Sequence, residues 1–233
     1  MTAFFVTGTD TAAGKTLVAS ALLLAAREQG WRTIGLKPVA AGCRLHDGQW
    51  VNDDALLLQR CATEALDYAV VNPVALRRAM APHIAAADEG VRLDVGRLLG
   101  HCHRARALPH DLLLAEGAGG WLVPLNERES MADLAAALGW PVILVVALRL
   151  GCLNHALLTA AAIRGAGLDL GGWVANSAGP PMERLDDNVA ALRERLDAPC
   201  LGVVPWLGAA VTPQAAACFL RVDVLRGDAD DRV

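Results

Sequence analysis

The chain has 233 residues with a formal charge of -4, a length that fits one large α/β domain better than two small ones. Hydrophobic residues make up 54% and mean hydropathy is +0.34, but the excess is mostly Ala, Leu and Val, and no apolar run reaches the roughly 18 residues of a membrane span. The mixed charge lacks the basic stripe that a phosphate backbone requires, so neither nucleic acid nor a membrane is an expected partner. The six cysteines form no C-x-x-C pair, which points to reduced thiols and against structural zinc. The N-terminus opens directly on Phe4-Phe5-Val6-Thr7 without a basic, apolar leader, and a cytoplasmic location is expected.

In chain order, short apolar runs alternate with Ala/Leu-rich segments, the pattern of repeated strand, helix, strand units around a parallel sheet. A first strand ends at Thr7, and Lys15 to Glu28 carries helical apolar spacing through Leu17, Ala21, Leu24 and Ala25 until Gly30 stops it. Thr33 to Lys37 reads as a second strand cut off by Pro38, which cannot donate to a central ladder. Helices are predicted over Asp54 to Cys61 and Leu93 to Leu108, then a buried strand over Asp111 to Glu116 closed by Gly117, Gly119 and Gly120. Pro141 to Ala147, Gly171 to Asn176 and Leu201 to Trp206 are further strands, separated by helices over Asn154 to Gly165 and Glu183 to Leu196. The chain reads as a single domain over 1–233, with the Asp- and Arg-rich tail after Arg221 expected to fray.

The strongest chemical signal is Gly8-Thr9-Asp10-Thr11-Ala12-Ala13-Gly14-Lys15-Thr16 between a strand and a helix, where successive backbone N–H groups and a helix N-terminus can cradle phosphate. Lys15 would reach the β/γ-phosphates and Thr16 would place its hydroxyl on Mg²⁺. The usual first glycine of such a loop is Thr9 here, with Gly8 one residue earlier. Glu116 ends an apolar strand, where an α/β sheet presents ligand-binding groups, and an acid there can hold Mg²⁺. The low-bulk Gly117-Ala118-Gly119-Gly120 would let backbone approach a ligand. Asp54, or its neighbour Asp53, reads equally as a helix-start carboxylate or as a metal ligand. Lys37, at a strand end, could neutralise a transferring phosphoryl group.

The histidines carry less. His101 and His103 are two apart and on a helix point to different sides, so metal binding there is not expected. His155 reads as a polar neighbour of a helix start, and His83 as structural or pocket-lining.

The blocks Phe5-Val6-Thr7-Gly8-Thr9-Asp10-Thr11, Gly14-Lys15-Thr16, Gly35-Leu36-Lys37-Pro38-Val39-Ala40, Ala115-Glu116-Gly117-Ala118-Gly119-Gly120-Trp121, Leu150-Gly151-Cys152-Leu153-Asn154-His155-Ala156, Gly172-Trp173-Val174-Ala175-Asn176 and Pro205-Trp206-Leu207 resemble the dethiobiotin synthetases along nearly the whole chain. The resemblance implies an α/β phosphate-loop NTPase-like fold: a single domain, mainly parallel, with helices on both faces. It also implies an ATP- and Mg²⁺-dependent ligase of biotin biosynthesis. Such enzymes join CO₂ to 7,8-diaminononanoate through a carbamate and a carbamic-phosphoric anhydride, giving dethiobiotin, ADP and phosphate.

Carried onto this chain, the resemblance implies catalytic roles for Lys37, Lys15 and Thr11, and magnesium held by Thr16, Asp54 and Glu116. ATP contacts would come from Ala12, Ala13, Gly14, Lys15, Thr16 and Leu17, from Asp54, from Glu116, Gly117, Ala118 and Gly119, from Asn176 and Ser177, and from Pro205, Trp206 and Leu207. The diamine would meet Thr11, Lys37 and Ala41. Its distal carboxylate would meet Gly151, Cys152, Leu153 and Asn154 across a homodimer interface, in keeping with anion binding at helix starts. Ala replacing Asp54 or Glu116 is then expected to cripple turnover and change melting little.

Three positions depart from the family pattern, with Ala12 where Glu is frequent, Ala41 where Ser is frequent and Ala81 where Ser usually precedes the proline; altered affinity is expected, not lost activity. Division-site ATPases share a deviant phosphate loop but usually carry a second lysine before its glycine, where this chain has Thr11, Ala12 and Ala13. A cobalamin-pathway amidotransferase would be expected to continue into a glutaminase domain.

Overall fold

A computed structural model describes residues 1–208 and 210–226. The chain opens on β1 (Thr2–Gly8), turns through the phosphate loop into α1 (Lys15–Glu28) and returns as β2 (Thr33–Leu36). An excursion follows: β3 (Val39–Ala41), β4 (Arg44–His46), β5 (Gln49–Val51), α2 (Asp53–Cys61), α3 (Tyr68–Val71), β6 (Val74–Leu76) and α4 (Pro82–Asp88). Next are α5 (Val95–Arg106), β7 (Leu112–Glu116), α6 (Met131–Leu138), β8 (Val142–Ala147), α7 (Cys152–Gly165), β9 (Leu170–Asn176), α8 (Leu185–Arg195), β10 (Cys200–Val204) and α9 (Pro213–Ala217).

Six of the strands form one parallel sheet in the order β10-β9-β8-β1-β7-β2. Both of its faces are buried, which is why its strands read as continuous apolar runs. Side-chain alternation sorts them: Phe5, Leu113, Ala115, Leu144 and Val146 pack under α5, α6, α7 and α8, whereas Phe4, Val6, Leu112, Leu114 and Val145 pack under α1, α2 and α9. The phosphate-loop NTPase-like α/β architecture expected from the sequence is the one found.

The predicted strands and helices recur within a few residues. The sixth strand stops at Val204, so Pro205 and Trp206, expected inside it, lie in the following loop. The helix expected from Asn154 begins at Cys152 because Gly151 turns the chain through the left-handed region at φ 92°. In the excursion after β2 the sequence reading found α2 but missed its strands: β3 and β6 form a separate two-stranded parallel sheet and β4 and β5 a hairpin, each of three residues, too short to show a period. Helix α6 was also missed, although Ser130 and Asp133 form a capping box before its apolar run.

Of the tail expected to fray, residues 222–226 pack against the body, with Val222 and Leu225 buried and the Arg226 guanidinium 4.6 Å from the Trp31 ring centre. Residues 227–233 lie outside the described residues.

Candidate active site

In a parallel sheet every strand ends on the same edge, and the register decides which ends are neighbours. Val6 lies opposite Glu116 and Leu36 opposite Ala115, so Lys37, one residue beyond β2, comes level with Glu116 at the end of β7. The Lys37 ammonium lies 2.5 Å from Glu116 Oε1 and 3.3 Å from Asp54 Oδ2. Thr16 donates its hydroxyl to the same Glu116 oxygen at 2.8 Å. The three residues expected to hold a metal thus converge on one point.

Asp54 reaches that point because Asn52 caps α2, its side-chain oxygen accepting from the amides of Asp54 and Ala55. Asn52 is itself held by Tyr68, whose hydroxyl accepts from its amide, and by Ala41, whose carbonyl accepts from its Nδ2. Asp53 points elsewhere, pairing with Arg44 in solvent. The Asn-Asp-Asp run before an apolar helix carried a capping signal that identifies Asn52.

The phosphate loop leaves Gly14 at φ 86°, and a Cβ there would sit 2.1 Å from Asn176 Nδ2. That amide donates to Ala13 O at 2.9 Å, tying the end of β9 to the loop. Within the loop the Thr11 amide is taken by the Asp10 carboxylate and the Ala13 amide by the Asp10 carbonyl. Among the described residues, the amides of Gly14, Lys15, Thr16 and Leu17 have no protein acceptor outside the helix, as an anion cradle requires. The Lys15 ammonium folds back to the carbonyls of Asp10 (3.1 Å) and Thr11 (3.3 Å).

Charge is strongly perturbed here. Burial pushes Lys15 down to about 8 despite the nearby Glu116. Lys37 is also buried, but Glu116 and Asp54 outweigh the desolvation and hold its ammonium above the ordinary lysine range. Asp10, missed in the sequence reading, is held below the usual carboxylate range by the Thr11 amide and by Arg149, whose guanidinium lies 2.5 Å from Oδ2. Arg149 gave no local signal, since 139 residues separate the partners.

A cleft of about 740 Å³ opens beside these groups, lined by Thr11, Ala12, Gly14, Lys15, Thr16, Lys37, Ala41, Asp54, Glu116, Ala118 and Gly119 among the expected residues. Asn52, Met80, Pro82, Val123 and Pro124 join them and were not singled out from the sequence. Ala13 is fully buried behind the loop. Gly117 does not line the cleft, and a Cβ there would press on the Phe5 ring at 2.9 Å. Asn176 ends β9 and Ser177 follows it, next to the loop of Pro205, Trp206 and Leu207, and the buried Asn176 Oδ1 and Ser177 Oγ have no partner among the described residues.

Gly151 to Asn154 stand at the start of α7 and do not line the cleft. The Cys152 side chain is buried and its amide donates to Arg149 O, which leaves the amides of Leu153 and Asn154 and the exposed Asn154 side chain. His101 bonds Val70 O at 2.7 Å and His103 is exposed, on diverging sides as expected. Ala81 and Pro82, not His83, line the cleft. Burial pushes the Cys43 thiol up to about 11 and Cys102 up to about 12, the inert state of core cysteines.

A family model described as an AAA domain matches residues 2–214. An ATP-dependent dethiobiotin synthetase BioD from Cellvibrio japonicus (strain Ueda107) is 56% identical over 215 residues, 92% of this chain and 94% of that protein. One from Pseudomonas aeruginosa (strain UCBPP-PA14) is 54% identical over 220 residues, 94% and 96% of the two. The chain belongs to the dethiobiotin synthetase family. Solved structures share the fold alone with this synthetase. Chloroplast FtsY from Physcomitrella patens superposes with a TM-score of 0.51 at 17% identity, covering 97% of this chain and 65% of that one. The Aquifex aeolicus MinC:MinD complex gives 0.52 at 14%, covering 88% and 81%.

Proposed function

We infer that the chain is an ATP-dependent dethiobiotin synthetase of biotin biosynthesis, working as one domain over 1–233. The observation that carries the reading is the convergence of the phosphate loop, Lys37, Glu116 and Asp54 on a single cleft in a member of this family. One amine of 7,8-diaminononanoate adds to CO₂ and loses a proton, giving a carbamate. A carbamate oxygen then attacks the γ-phosphorus of ATP, the bond to the β-phosphate bridging oxygen breaks, and ADP leaves. The second amine attacks the carbamoyl carbon of the mixed anhydride, loses a proton and expels phosphate as the ureido ring closes. No protein nucleophile is needed, so the chain contributes position and charge: loop amides and Lys15 on the phosphates, Lys37 and Thr11 on the carbamate and the transferring group.

The donor set fits Mg²⁺, which takes one or two carboxylates and completes its shell with phosphate and water. Thr16, Glu116 and Asp54 would hold it, and the buried Glu116 Oε2 has no partner among the described residues. No group of three or more His, Cys, Asp or Glu is present among the described residues, which disfavours an all-protein cage. When bound, it supplies neutralising charge on the β- and γ-phosphates. Asn176, Ser177 and the Pro205 to Leu207 loop would receive adenine. Two features support a homodimer with a shared site: Gly151 to Asn154 do not line the cleft of their own chain, and Leu150, just before α7, and Leu158 within it are exposed (93% and 62%). No helix of the described residues is long and apolar enough to cross a membrane, and we place the enzyme in the cytoplasm.

The test is phosphate release and ring formation with the diamine, bicarbonate, Mg²⁺ and ATP. Product that requires all four supports the assignment. ATP hydrolysis indifferent to the diamine would replace it with a nucleotide-switch function.

A further inference from the structure

We propose that Lys37 and the divalent cation take turns on one carboxylate pair. In the nucleotide-free chain the Lys37 ammonium fills the cation position between Glu116 and Asp54, and loading of the metal nucleotide frees it to reach the transferring phosphoryl group. The inference rests on the metal assignment above and adds an exchange to it.

The geometry carries it. Glu116 Oε1 accepts from Lys37 Nζ at 2.5 Å and from Thr16 Oγ1 at 2.8 Å, and Asp54 Oδ2 lies 3.3 Å from the same ammonium. The locus shared by the three expected metal ligands therefore already holds a positive charge. A dication and an ammonium packed on one buried carboxylate would repel strongly, because a site with Glu116 1% exposed is poorly screened. The exchange needs only side-chain motion. The Lys37 backbone is clamped at both ends, its amide donating to Val71 O and its carbonyl accepting from Asn72 Nδ2 at 2.6 Å. Its flexible four-carbon stem lines the same cleft as Thr11 and Ala41. ATP brings anionic oxygens to that cleft, so the ammonium leaves one anion for another without being left bare. The lysine that assists phosphoryl transfer would thus be released only when metal and nucleotide are both in place.

The probe is Mn²⁺ binding without nucleotide, read by the loss of the free-ion electron paramagnetic resonance signal, in the full chain and its Lys37→Met variant. Removing the competitor should tighten Mn²⁺ binding at least tenfold, and Lys37→Met/Glu116→Gln should lose that gain. Mg²⁺ should also raise the melting temperature of Lys37→Met more than that of the parent chain, since it re-pairs a stranded carboxylate. Equal or weaker Mn²⁺ binding in Lys37→Met, with the parent chain binding Mn²⁺ in the presence of ADP, overturns the exchange while leaving the metal assignment intact. If ADP does not bring Mn²⁺ to the parent chain, the metal assignment falls and the exchange with it. Should Lys37→Met not fold, anomalous diffraction from parent crystals with Mn²⁺ and ADP decides. A Lys37 nitrogen more than about 4 Å from Glu116 Oε1 supports the exchange, and one still within hydrogen-bond reach refutes it.

Discussion

Two lysines feel the charge of the same acids, Glu116 and Asp54, and their surroundings divide their work. Lys15 is depressed to about 8 by burial. Below pH 8 its ammonium is already charged and nucleotide binds without proton exchange; above pH 8 the free chain carries a neutral amine that takes up a proton from solvent as the phosphates bind. Nucleotide affinity should therefore fall as pH rises past 8. Calorimetry in buffers of different ionisation enthalpy should record proton uptake growing towards about one per site near pH 9, and heats independent of buffer there would refute the coupling. The acids differ as well. Glu116 is 1% exposed and Asp54 47% exposed by side chain, so alanine should leave melting little changed at Asp54 but not at Glu116, unlike the equal effect expected from the sequence. Glu116→Ala strands a buried ammonium, a loss of about 3–5 kcal/mol, and should lower Tm by roughly 10 °C. Asp54→Ala should melt within about 2 °C of the parent chain, as exposed pairs contribute little.

At the scale of elements, the site depends on two joints. The first is the cap of α2, where Asn52 both holds the helix start and fixes Asp54 above the cleft. Asn52→Ala should cost about 1 kcal/mol of stability and reduce turnover beyond that loss, because Asp54 is no longer aimed; activity unchanged at a temperature where the variant is folded would separate cap from site. The second is the contact between the loop and β9. Gly14→Ala places a methyl 2.1 Å from Asn176 Nδ2 at a φ of 86°, conditions that no small rotation relieves. Isothermal titration should show ATP affinity falling at least about tenfold, with ADP affected alike because the defect lies in the loop and not at the γ-phosphate.

The whole molecule raises the question of which copy supplies the carboxylate pocket. A flexible diamino acid needs both ends fixed for its amines to meet CO₂ and γ-phosphate in register, and the start of α7 does not line the cleft of its own chain. In the shared-site reading, one protomer's phosphate loop works with the partner's Asn154. Mixing Asn154→Asp chains with Lys15→Ala chains gathers both defects into one composite site and leaves the other intact, so activity should recover towards half that of the parent in mixed dimers. Exchange demonstrated by mass spectrometry without recovered activity would place both halves of the site in one chain.

What the sequence determined by itself was local or periodic. Buried strands show as apolar runs, α1 as a 3.6-residue repeat, and the phosphate loop as a contiguous set of glycines with Lys15 and Thr16. Between β2 and α5 only α2 was legible, because the strands there are three residues long and held by partners elsewhere in the excursion. Only the tertiary structure decided the pairings. Thr16 meets Glu116 across 100 residues, Lys37 meets Glu116 across 79 and Asp10 meets Arg149 across 139. No spacing rule links such positions. The strand order places β7 between β1 and β2, so an acid late in the chain and a lysine early in it end side by side on one edge of the sheet.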